Sequence, residues 1–561
     1  MLAARLILAA SLVLALVLVR TTERVAADSR TPRLIVLLVV DQFRADYIDR
    51  FGHQWSSGLR RLTVEGARFR QVQYPFYDTV TCAGHATIST GTMPSTHGMV
   101  MNDWWDRGSR KVVTCMEDTT TMPISYGAAV KARGESLARL RVPALADELR
   151  AQLSPAGRAI GFSLKARSAA PLAGRHPDAV AWFDDSGAWV TSSAFSNGPV
   201  PELADFVRRH PVDGDFSRIW DRALPKATYL YEDPAIGVGP LGAGMTAAFP
   251  HTLAGTSPSP DRNYYTRWQS SPYADEYLAS MAIDVARGMR LGTPQGSTDM
   301  IAVGFSTLDK VGHDYGPNSH EVQDVLIRLD RTLGDLFVSL DELAGAGNYV
   351  VALTSDHGVA PIPERARQFG LDAGRLDGTL ILRTVDDILV KAFGKGNYLS
   401  RLVDSHIYFQ PGVYARLRDQ PAVLRGVRDA LRAIDGIDAV YTADELENVR
   451  ANDDAMARRL AGSYFSGRSG DLVFVTRPYW MVEAEGTTHG TGYGYDTHVP
   501  LLLMGKGIVP GEYLGSASPL DVAPTLGFLA NVTLPYSQGR VLSEALSVVT
   551  PAPRASSPAT R

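Results

Sequence analysis

The 561-residue chain has little cysteine, because Cys82 and Cys115 are its only two. An isolated pair forms either one disulfide, in an oxidising compartment, or two buried thiols. No papain-like or caspase-like sequence surrounds Cys82, which argues against a cysteine nucleophile. The chain also has no set of free cysteines that would supply thiolate ligands to a metal ion.

The chain lacks an excess of basic charge. Its formal net charge is −4 and its pI is about 6.3, with basic residues scattered along the sequence. This balance gives no electrostatic reason to expect a nucleic-acid partner. With 45% hydrophobic and 21% charged residues, the chain is an ordinary globular protein, and its length corresponds to about two to four domains.

Long apolar runs are also absent, with one exception at the N-terminus. Residues 6–19, which follow Arg5, are an apolar run of signal-peptide length, short of a membrane span. With the small residues Val25-Ala26-Ala27 as a cleavage site, residues 1–27 are predicted to be a signal peptide. The polar gap at 20–24 leaves an uncleaved N-terminal anchor as the alternative. Either interpretation predicts a periplasmic or secreted protein without a further membrane span.

Short apolar, β-branched runs recur and end abruptly in polar residues or glycine. Runs of this length suit strands buried on both faces of a parallel sheet. The runs are residues 33–40, 159–165, 300–306, 349–355 and 499–505. Amphipathic helical patterns lie between them. The alternation predicts an α/β fold with a doubly wound, mostly parallel central sheet and helices on both faces.

Two regions depart from this rhythm. Residues 180–270 are rich in Pro, Gly, Ser and aromatic residues and are predicted to be a loop-rich insertion in a core that spans 28–364. Residues 365–485 are predicted to form a smaller α+β subdomain, after which 486–548 return to the core. The Pro/Ser-rich tail, 549–561, is predicted to be disordered.

Carboxylates and imidazoles follow the predicted strands. Asp41 and the pair Asp356-His357 come directly after strands, and Asp309 follows a third strand closely. Sites in open α/β sheets form outside the carboxyl ends of the strands.

Histidines add to these carboxylates. His313 lies four residues after Asp309, which on a helix places both side chains on one face. His489 lies in a Gly- and Thr-rich loop with no apolar face to bury it, and His498 is either a supporting or a structural residue. Asp and His ligands favour Zn²⁺, and six are available, enough for two ions.

In chain order these residues form a pattern with a Thr-rich helix entry and a pair of basic residues. The pattern comprises Asp41, T-x-x-G-H at 81–85, Asn102, K-x-R at 165–167, D-x-x-x-H at 309–313, Asp356-His357 and H-G at 489–490. It resembles the alkaline phosphatase superfamily. The branch it resembles is the secreted bacterial alkaline phosphatases with a threonine nucleophile, near the nucleotide pyrophosphatase/phosphodiesterases. The resemblance covers residues 33–505.

The resemblance implies a role for each matched position. Asp309, His313 and His489 would bind one Zn²⁺. Asp41, Asp356 and His357 would bind the other, with Thr81 Oγ1 bridging toward phosphorus. Thr81 is preferred over Thr79, Thr87 and Ser89 because a helix N-terminus there also favours phosphate. His85 matches no metal position and is interpreted as structural, and a Cys82–Cys115 disulfide would brace the nucleophile.

The substrate prediction depends on Asn102, Lys165 and Arg167. Lys165 and Arg167 are two apart on a predicted strand and would therefore point to the same face. Two cations and an amide favour the dianionic group of a phosphate monoester, and K-x-R in the family implies the same pocket.

The sequence thus predicts a two-zinc alkaline phosphatase that hydrolyses small-molecule phosphate monoesters through a phosphothreonine. The alternatives are a phosphodiesterase or nucleotide pyrophosphatase on the same scaffold and, more distantly, a non-catalytic exported binding protein. The C/S-x-P-x-R core of sulfatases is absent.

Overall fold

The structure, a computed structural model, describes residues 31–547 except 128–129, 240, 242–244 and 294–296. The predicted signal peptide, 1–27, and the predicted tail, 549–561, lie outside the described residues. No helix in the described part of the chain is long and apolar enough to cross a membrane.

The strands are numbered in chain order. They are β1 (Leu34–Val40), β2 (Ala67–Val72), β3 (Asp103–Asp106), β4 (Lys111–Thr114), β5 (Pro123–Ser125), β6 (Ala159–Ser163), β7 (Ala179–Phe183), β8 (Trp189–Ser192), β9 (Ile219–Trp220), β10 (His251–Thr252), β11 (Asp299–Phe305), β12 (Tyr349–Thr354), β13 (Gly374–Arg375), β14 (Leu399–Val403), β15 (His406–Phe409), β16 (Ile437–Thr442), β17 (Leu472–Thr476), β18 (Trp480–Met481), β19 (Leu501–Gly505) and β20 (Gly511–Ala517).

The helices are identified by their residues. They are Asp46–Phe51, Gly58–Glu65, Thr81–Thr90, Pro94–His97, Leu145–Gln152, Ala166–Ala173, Pro201–Arg209, Arg262–Gln269, Pro272–Gly288, Thr307–Tyr315, His320–Ala344, Pro363–Gln368, Gly378–Phe393, Val413–Arg418, Pro421–Arg432, Ala443–Glu447, Ala455–Ser463, Gly494–Thr497 and Val522–Leu529.

The core is a ten-stranded sheet in the order β20-β2-β19-β12-β1-β11-β6-β7-β8-β5. Its centre, from β12 to β7, is parallel throughout, whereas β19 runs antiparallel to β12. Side chains alternate along β1, so that Leu34, Val36 and Leu38 enter one apolar cluster. Ile35 and Leu37 enter the cluster on the opposite face. Both faces are therefore covered, which confirms the predicted doubly wound, mostly parallel α/β class.

Residues within 365–485 contain a second, four-stranded antiparallel sheet in the order β14-β15-β17-β16. This sheet packs on an apolar cluster of its own, which includes Ile381, Leu431 and Phe474. The region 180–270 is less uniform than its composition indicates. Its first part supplies most of β7 and all of β8 to the edge of the central sheet.

The carboxyl ends of the central parallel strands lie at one edge of the sheet. Strand β1 ends directly before Asp41, β11 before Ser306, and β12 two residues before Asp356. Residues that follow these strands are brought together because neighbouring parallel strands end side by side. This edge holds the candidate site.

Candidate active site

Three carboxylates form the floor of the site. Asp41 and Asp356 are fully buried and Asp309 is 4% exposed. Asp309 lies in the first turn of the helix Thr307–Tyr315, with His313 one turn later. His313 Nε2 is 3.1 Å from Asp309 Oδ1, so the predicted helical pair does face one point.

The two oxygens of Asp41 have different surroundings. Oδ2 accepts from Lys165 Nζ at 3.0 Å, Ser306 Oγ at 2.9 Å and Ser168 Oγ at 3.5 Å. Oδ1 is buried and has no hydrogen-bond partner among the described residues. A buried carboxylate oxygen is costly to leave unpaired, so this arrangement presents Oδ1 to a cation.

The histidines of the site share one hydrogen-bonding arrangement. In each ring Nδ1 lies within 2.9 Å of a backbone carbonyl oxygen. The pairs are His85–Thr81, His313–Thr487, His357–Gly358 and His489–Thr79. Because a carbonyl oxygen only accepts, Nδ1 carries the proton and Nε2 is left to bind a metal. Bonds of this kind orient the histidine ligands of zinc sites.

Potential ligand atoms converge in two groups, each with its atoms within 4.8 Å of one another: Asp309, His357 and His489, and Asp41, His85 and Asp356. The grouping differs from the predicted sets at three histidines. His357 joins Asp309 and His489, His85 joins Asp41 and Asp356, and His313 belongs to neither group. The His357 ring stacks on His489, with centroids 3.4 Å apart, while its Nε2 is 3.2 Å from Asp356 Oδ2. His357 therefore lies between the two groups and is within reach of its predicted partner Asp356.

His85 is closer to the carboxylates than its interpretation as a structural residue implies. Its Nε2 is 3.3 Å from Asp41 Oδ1 and its Nδ1 is 3.4 Å from Asp356 Oδ2. Burial lowers the pKa of His85, but the charges of Asp41 and Asp356 outweigh burial and raise the pKa to about 9. A protonated His85 balances the charge of two buried carboxylates, and its Nε2 becomes a ligand atom only when it loses that proton.

His498 lies outside both groups. Its Nε2 donates to the backbone oxygen of Arg70 at 3.1 Å. This bond reaches the backbone of β2 and none of the potential metal ligands. Of the two interpretations that the sequence leaves open for His498, the structure favours the structural one.

Thr81 is the first residue of the helix Thr81–Thr90, whose residues are all buried. The helix can approach Asp356 because residue 84 is glycine: a Cβ there would lie 2.4 Å from the backbone oxygen of Asp356. The helix N-terminus carries partial positive charge and free N–H groups, which attract a phosphate. The hydroxyl of Thr81 is thus held where an anion is favoured.

Asn102 and the cysteines fix this helix start. The N–H of Cys82 donates to Asn102 Oδ1 at 2.9 Å, and that of Cys115 to the backbone oxygen of Asn102 at 2.8 Å. Cys82 and Cys115 are joined in a disulfide across 33 residues. With Oδ1 engaged, the Asn102 side chain offers only its NH₂ group to a ligand.

Replacing both cysteines by alanine is expected to lower the free energy of unfolding by about 2–5 kcal/mol, because the unfolded chain is no longer cross-linked. Urea unfolding of the oxidised protein and of the double variant measures the difference. Reductant should destabilise the wild type and leave the double variant unchanged. Equal midpoints for the oxidised and reduced wild type would contradict this expectation.

Asn102, Lys165 and Arg167 line one cavity of about 350 Å³. The route that brings the two cations there differs from the prediction. Strand β6 ends at Ser163, and Lys165 caps the helix Ala166–Ala173, which contains Arg167. The same-face argument from strand spacing is therefore wrong. The strand ends before Lys165 because the Lys165 carbonyl accepts a helical hydrogen bond, from the N–H of Ala169 at 3.0 Å.

Three polar residues of the site were missed from the sequence. Ser306 and Ser168 donate to Asp41, and Gln42 donates to Asp309 Oδ1 at 2.9 Å. A signal was present for two of them: Ser306 directly follows β11, and Gln42 is the second residue after β1 at the functional edge. Ser168 lies in the helix after β6, where its sequence gives no such signal.

The donor set fits zinc. It combines imidazole nitrogens with carboxylate oxygens, which are ligands that Zn²⁺ accepts. Four ligand atoms are buried without a hydrogen-bond partner in the part of the chain that the structure describes: Asp41 Oδ1, His85 Nε2, Asp356 Oδ2 and His357 Nε2. Buried polar atoms without partners that lie close together are explained by a bound cation.

The chain is similar to known proteins over most of its length. Alkaline phosphatase PafA of Elizabethkingia meningoseptica is 31% identical over 92% of this chain and 94% of that protein. Its crystal structure has a TM-score of 0.84 and covers 92% of this chain and 99% of that chain, at 30% identity. A Myroides odoratus protein named calcium-transporting ATPase is 28% identical over 92% of this chain and 95% of that protein. Alkaline phosphatase PhoV of Synechococcus elongatus is 29% identical over 92% of this chain and 93% of that protein.

The family model described as type I phosphodiesterase / nucleotide pyrophosphatase matches residues 35–498. This range contains both groups of potential metal ligands, the helix that begins at Thr81 and the cavity lined by Lys165 and Arg167. The chain is a member of the type I phosphodiesterase / nucleotide pyrophosphatase family.

Proposed function

We propose that this protein is a two-zinc alkaline phosphatase that hydrolyses phosphate monoesters through a phosphothreonine at Thr81. Its similarity to bacterial alkaline phosphatases over most of the chain supports phosphomonoesterase activity on this scaffold. One observation carries the zinc and threonine parts of the proposal: two groups of buried ligand atoms lie beside a helix N-terminus whose first residue bears a hydroxyl.

In the proposed site, Asp309, His313 and His489 would hold one Zn²⁺, and Asp41, Asp356 and His357 would hold the other. When bound, the two ions lower the pKa of the attacking hydroxyl and stabilise the departing oxygen. The tautomers set by the backbone carbonyls keep each Nε2 of these histidines ready as a ligand. Burial is the largest cause that lowers the pKa of His489, and it keeps this ring neutral.

The chain's own groups perform the transfer. Thr81 Oγ1 forms a bond to phosphorus while the bond between phosphorus and the leaving-group oxygen breaks. The proton of the threonine hydroxyl passes to solvent, and the leaving-group oxygen takes up a proton from solvent. The free N–H groups of the helix start and the NH₂ of Asn102 bind the phosphoryl oxygens. Water then attacks the phosphothreonine, which releases inorganic phosphate and restores the hydroxyl of Thr81.

Two cations of the cavity favour monoesters over diesters. A monoester presents a dianionic phosphoryl group, whereas a diester carries one charge and an additional substituent. Lys165 and Arg167 line the same cavity. Charge-assisted hydrogen bonds from two cations stabilise the dianionic monoester more than the singly charged diester.

Removing metal is expected to abolish activity. Dialysis against a chelator should lower hydrolysis of a nitrophenyl monoester by at least about 100-fold, because a threonine hydroxyl without a metal ion is a weak nucleophile. Titrating zinc into the apoprotein should restore activity with an end point of two ions per chain. Metal-free protein that keeps its activity would contradict the proposed chemistry.

Phosphodiester hydrolysis is the second candidate, because the family model bears the name of phosphodiesterases. A nitrophenyl monoester and its methyl diester distinguish the two activities when kcat/KM is measured on one preparation. We expect the monoester to be preferred. A preference for the diester would support the second candidate instead.

We also propose that the protein is exported to the periplasm or the medium. The support is the apolar run and small-residue cleavage site within residues 1–27. Fractionation of expressing cells with the mature N-terminus sequenced tests the proposal. A cytoplasmic product that still starts at Met1 would contradict it.

A further inference from the structure

Gln42 connects the two groups of potential metal ligands. It directly follows Asp41 at the end of β1 and is 1% exposed. Its backbone lies in the left-handed region, with a φ of 66°. Residues other than glycine rarely adopt this conformation, and those that do are concentrated at functional sites.

Two donors of Gln42 reach carboxylates from different groups. Its backbone N–H donates to Asp356 Oδ1 at 3.2 Å, and its side-chain Nε2 donates to Asp309 Oδ1 at 2.9 Å. The same Nε2 lies 3.4 Å from the backbone oxygen of Asp309. One residue thus restrains a carboxylate on each side of the candidate metal centre.

The carboxylate of Asp309 is held from both of its oxygens. Lys165 Nζ contacts Oδ2 at 2.5 Å, while Gln42 Nε2 contacts Oδ1. A neutral amide donor orients Oδ1 without adding a second positive charge beside a cation site. Hydrogen bonds to a ligating carboxylate of this kind tune the affinity of the metal that it binds.

Gly312 provides the space for this side chain. A Cβ at residue 312 would lie 1.7 Å from Gln42 Oε1 and 2.8 Å from its Cδ. Gly312 belongs to the helix that carries Asp309 and His313, so its glycine is required for space and not for an unusual backbone angle. The turn that supplies two predicted ligands is therefore shaped around Gln42.

We propose that Gln42 is a positioning residue whose side-chain amide sets the orientation of the Asp309 carboxylate for metal binding, with Gly312 as the gap that admits it. The inference rests on the proposed two-zinc function. Every substitution at 42 except proline keeps the backbone N–H that binds Asp356. Loss of the side chain therefore lowers the affinity for the zinc ion that Asp309 binds and leaves the affinity for the other ion unchanged.

Gln42→Asn and Gln42→Gly test this directly. Asparagine tolerates positive φ but is one methylene too short to keep the bond, and glycine adopts this φ freely. Zinc affinities are measured by competition with a chromophoric chelator during titration of the apoprotein. We expect one of the two dissociation constants to rise by about 10- to 100-fold in both variants. The other should stay within about twofold of wild type.

A purely structural role predicts a different pattern. It predicts that the melting temperature of the metal-free protein falls in both Gln42 variants and that both zinc affinities fall to the same extent. Gln71→Ala, at an exposed glutamine on β2, is the matched control and should leave both zinc affinities and the melting temperature unchanged.

The relation to Gly312 is tested by a double-mutant cycle. Gly312→Ala should weaken the same zinc ion in the wild-type background, because the added Cβ displaces the Gln42 side chain. In the Gln42→Gly background the same change should have little further effect, since nothing remains to be displaced. Equal losses from Gly312→Ala in the two backgrounds would overturn the proposed contact.

The outcomes separate this inference from the proposed function. Wild-type protein that binds two zinc ions, with unchanged affinities in both Gln42 variants, would overturn the role of Gln42 alone. A lower metal-free melting temperature in both variants, with both zinc affinities reduced to the same extent, would assign Gln42 to folding and also overturn it. Wild-type protein that binds no zinc would overturn the proposed function and, with it, this inference.

Discussion

Replacing Thr81 with alanine is expected to lower kcat/KM for a phosphate monoester by at least about 10³-fold, the scale on which enzymes lose activity without their nucleophile. The buried helix start leaves no other hydroxyl at this position, since Thr79 Oγ1 donates to the Thr491 carbonyl at 2.9 Å. Steady-state hydrolysis of a nitrophenyl monoester by zinc-loaded protein measures the loss.

Two variants control for this result. Thr81→Ser keeps a hydroxyl and should retain activity within about tenfold of wild type. Thr87→Ala removes a threonine from the same helix, whose Oγ1 pairs with His97 Nε2 at 3.0 Å away from the ligand groups, and should leave kcat nearly unchanged. Near-wild-type turnover by Thr81→Ala with its two zinc ions bound would reject Thr81 as the nucleophile.

Replacing Lys165 and Arg167 together with alanine is expected to change substrate preference as well as rate. Removal of one transition-state donor typically costs about 10²–10³-fold, so the double variant should lose at least that much activity on a monoester. Loss on the methyl diester should be at least about tenfold smaller, because its single charge uses the two cations less. The ratio of the two kcat/KM values is the informative quantity.

Arg133→Ala is the control for this pair. Arg133 lines the same cavity, but its side chain is 69% exposed and pairs with Glu117 at 3.2 Å. Its loss should leave the ratio of monoester to diester activity unchanged. Equal losses on both substrates in the Lys165/Arg167 variant would show that the cations do not select the dianion.

Much of the fold was predictable because its strands are buried on both faces. The run that becomes β1 is apolar at every position, and this pattern has few alternatives to a central parallel strand. Strand direction at the sheet edge was not predictable. The apolar run that forms β19 looks the same as its parallel neighbours but pairs antiparallel with β12, since direction depends on where the preceding segment leaves the sheet.

The positions of ligands at strand ends were predictable for the same reason, whereas their hydrogen-bond partners were not. Asp41 directly follows the apolar run that forms β1, so its place at the functional edge could be predicted from the sequence alone. The contacts of Ser168 and His85 depend on how two helices pack against that edge. The spacing of Lys165 and Arg167 gave a wrong local structure, because the apolar run continues past the residue at which β6 ends.

The stereochemistry of transfer at phosphorus tests the central claim most directly. A monoester made chiral with three oxygen isotopes is hydrolysed in the presence of an acceptor alcohol, and the configuration of the product ester is determined. Attack by Thr81 followed by attack of the acceptor on the phosphothreonine comprises two in-line displacements, so the account predicts net retention of configuration. Inversion would indicate a single direct displacement and would contradict the phosphothreonine at Thr81.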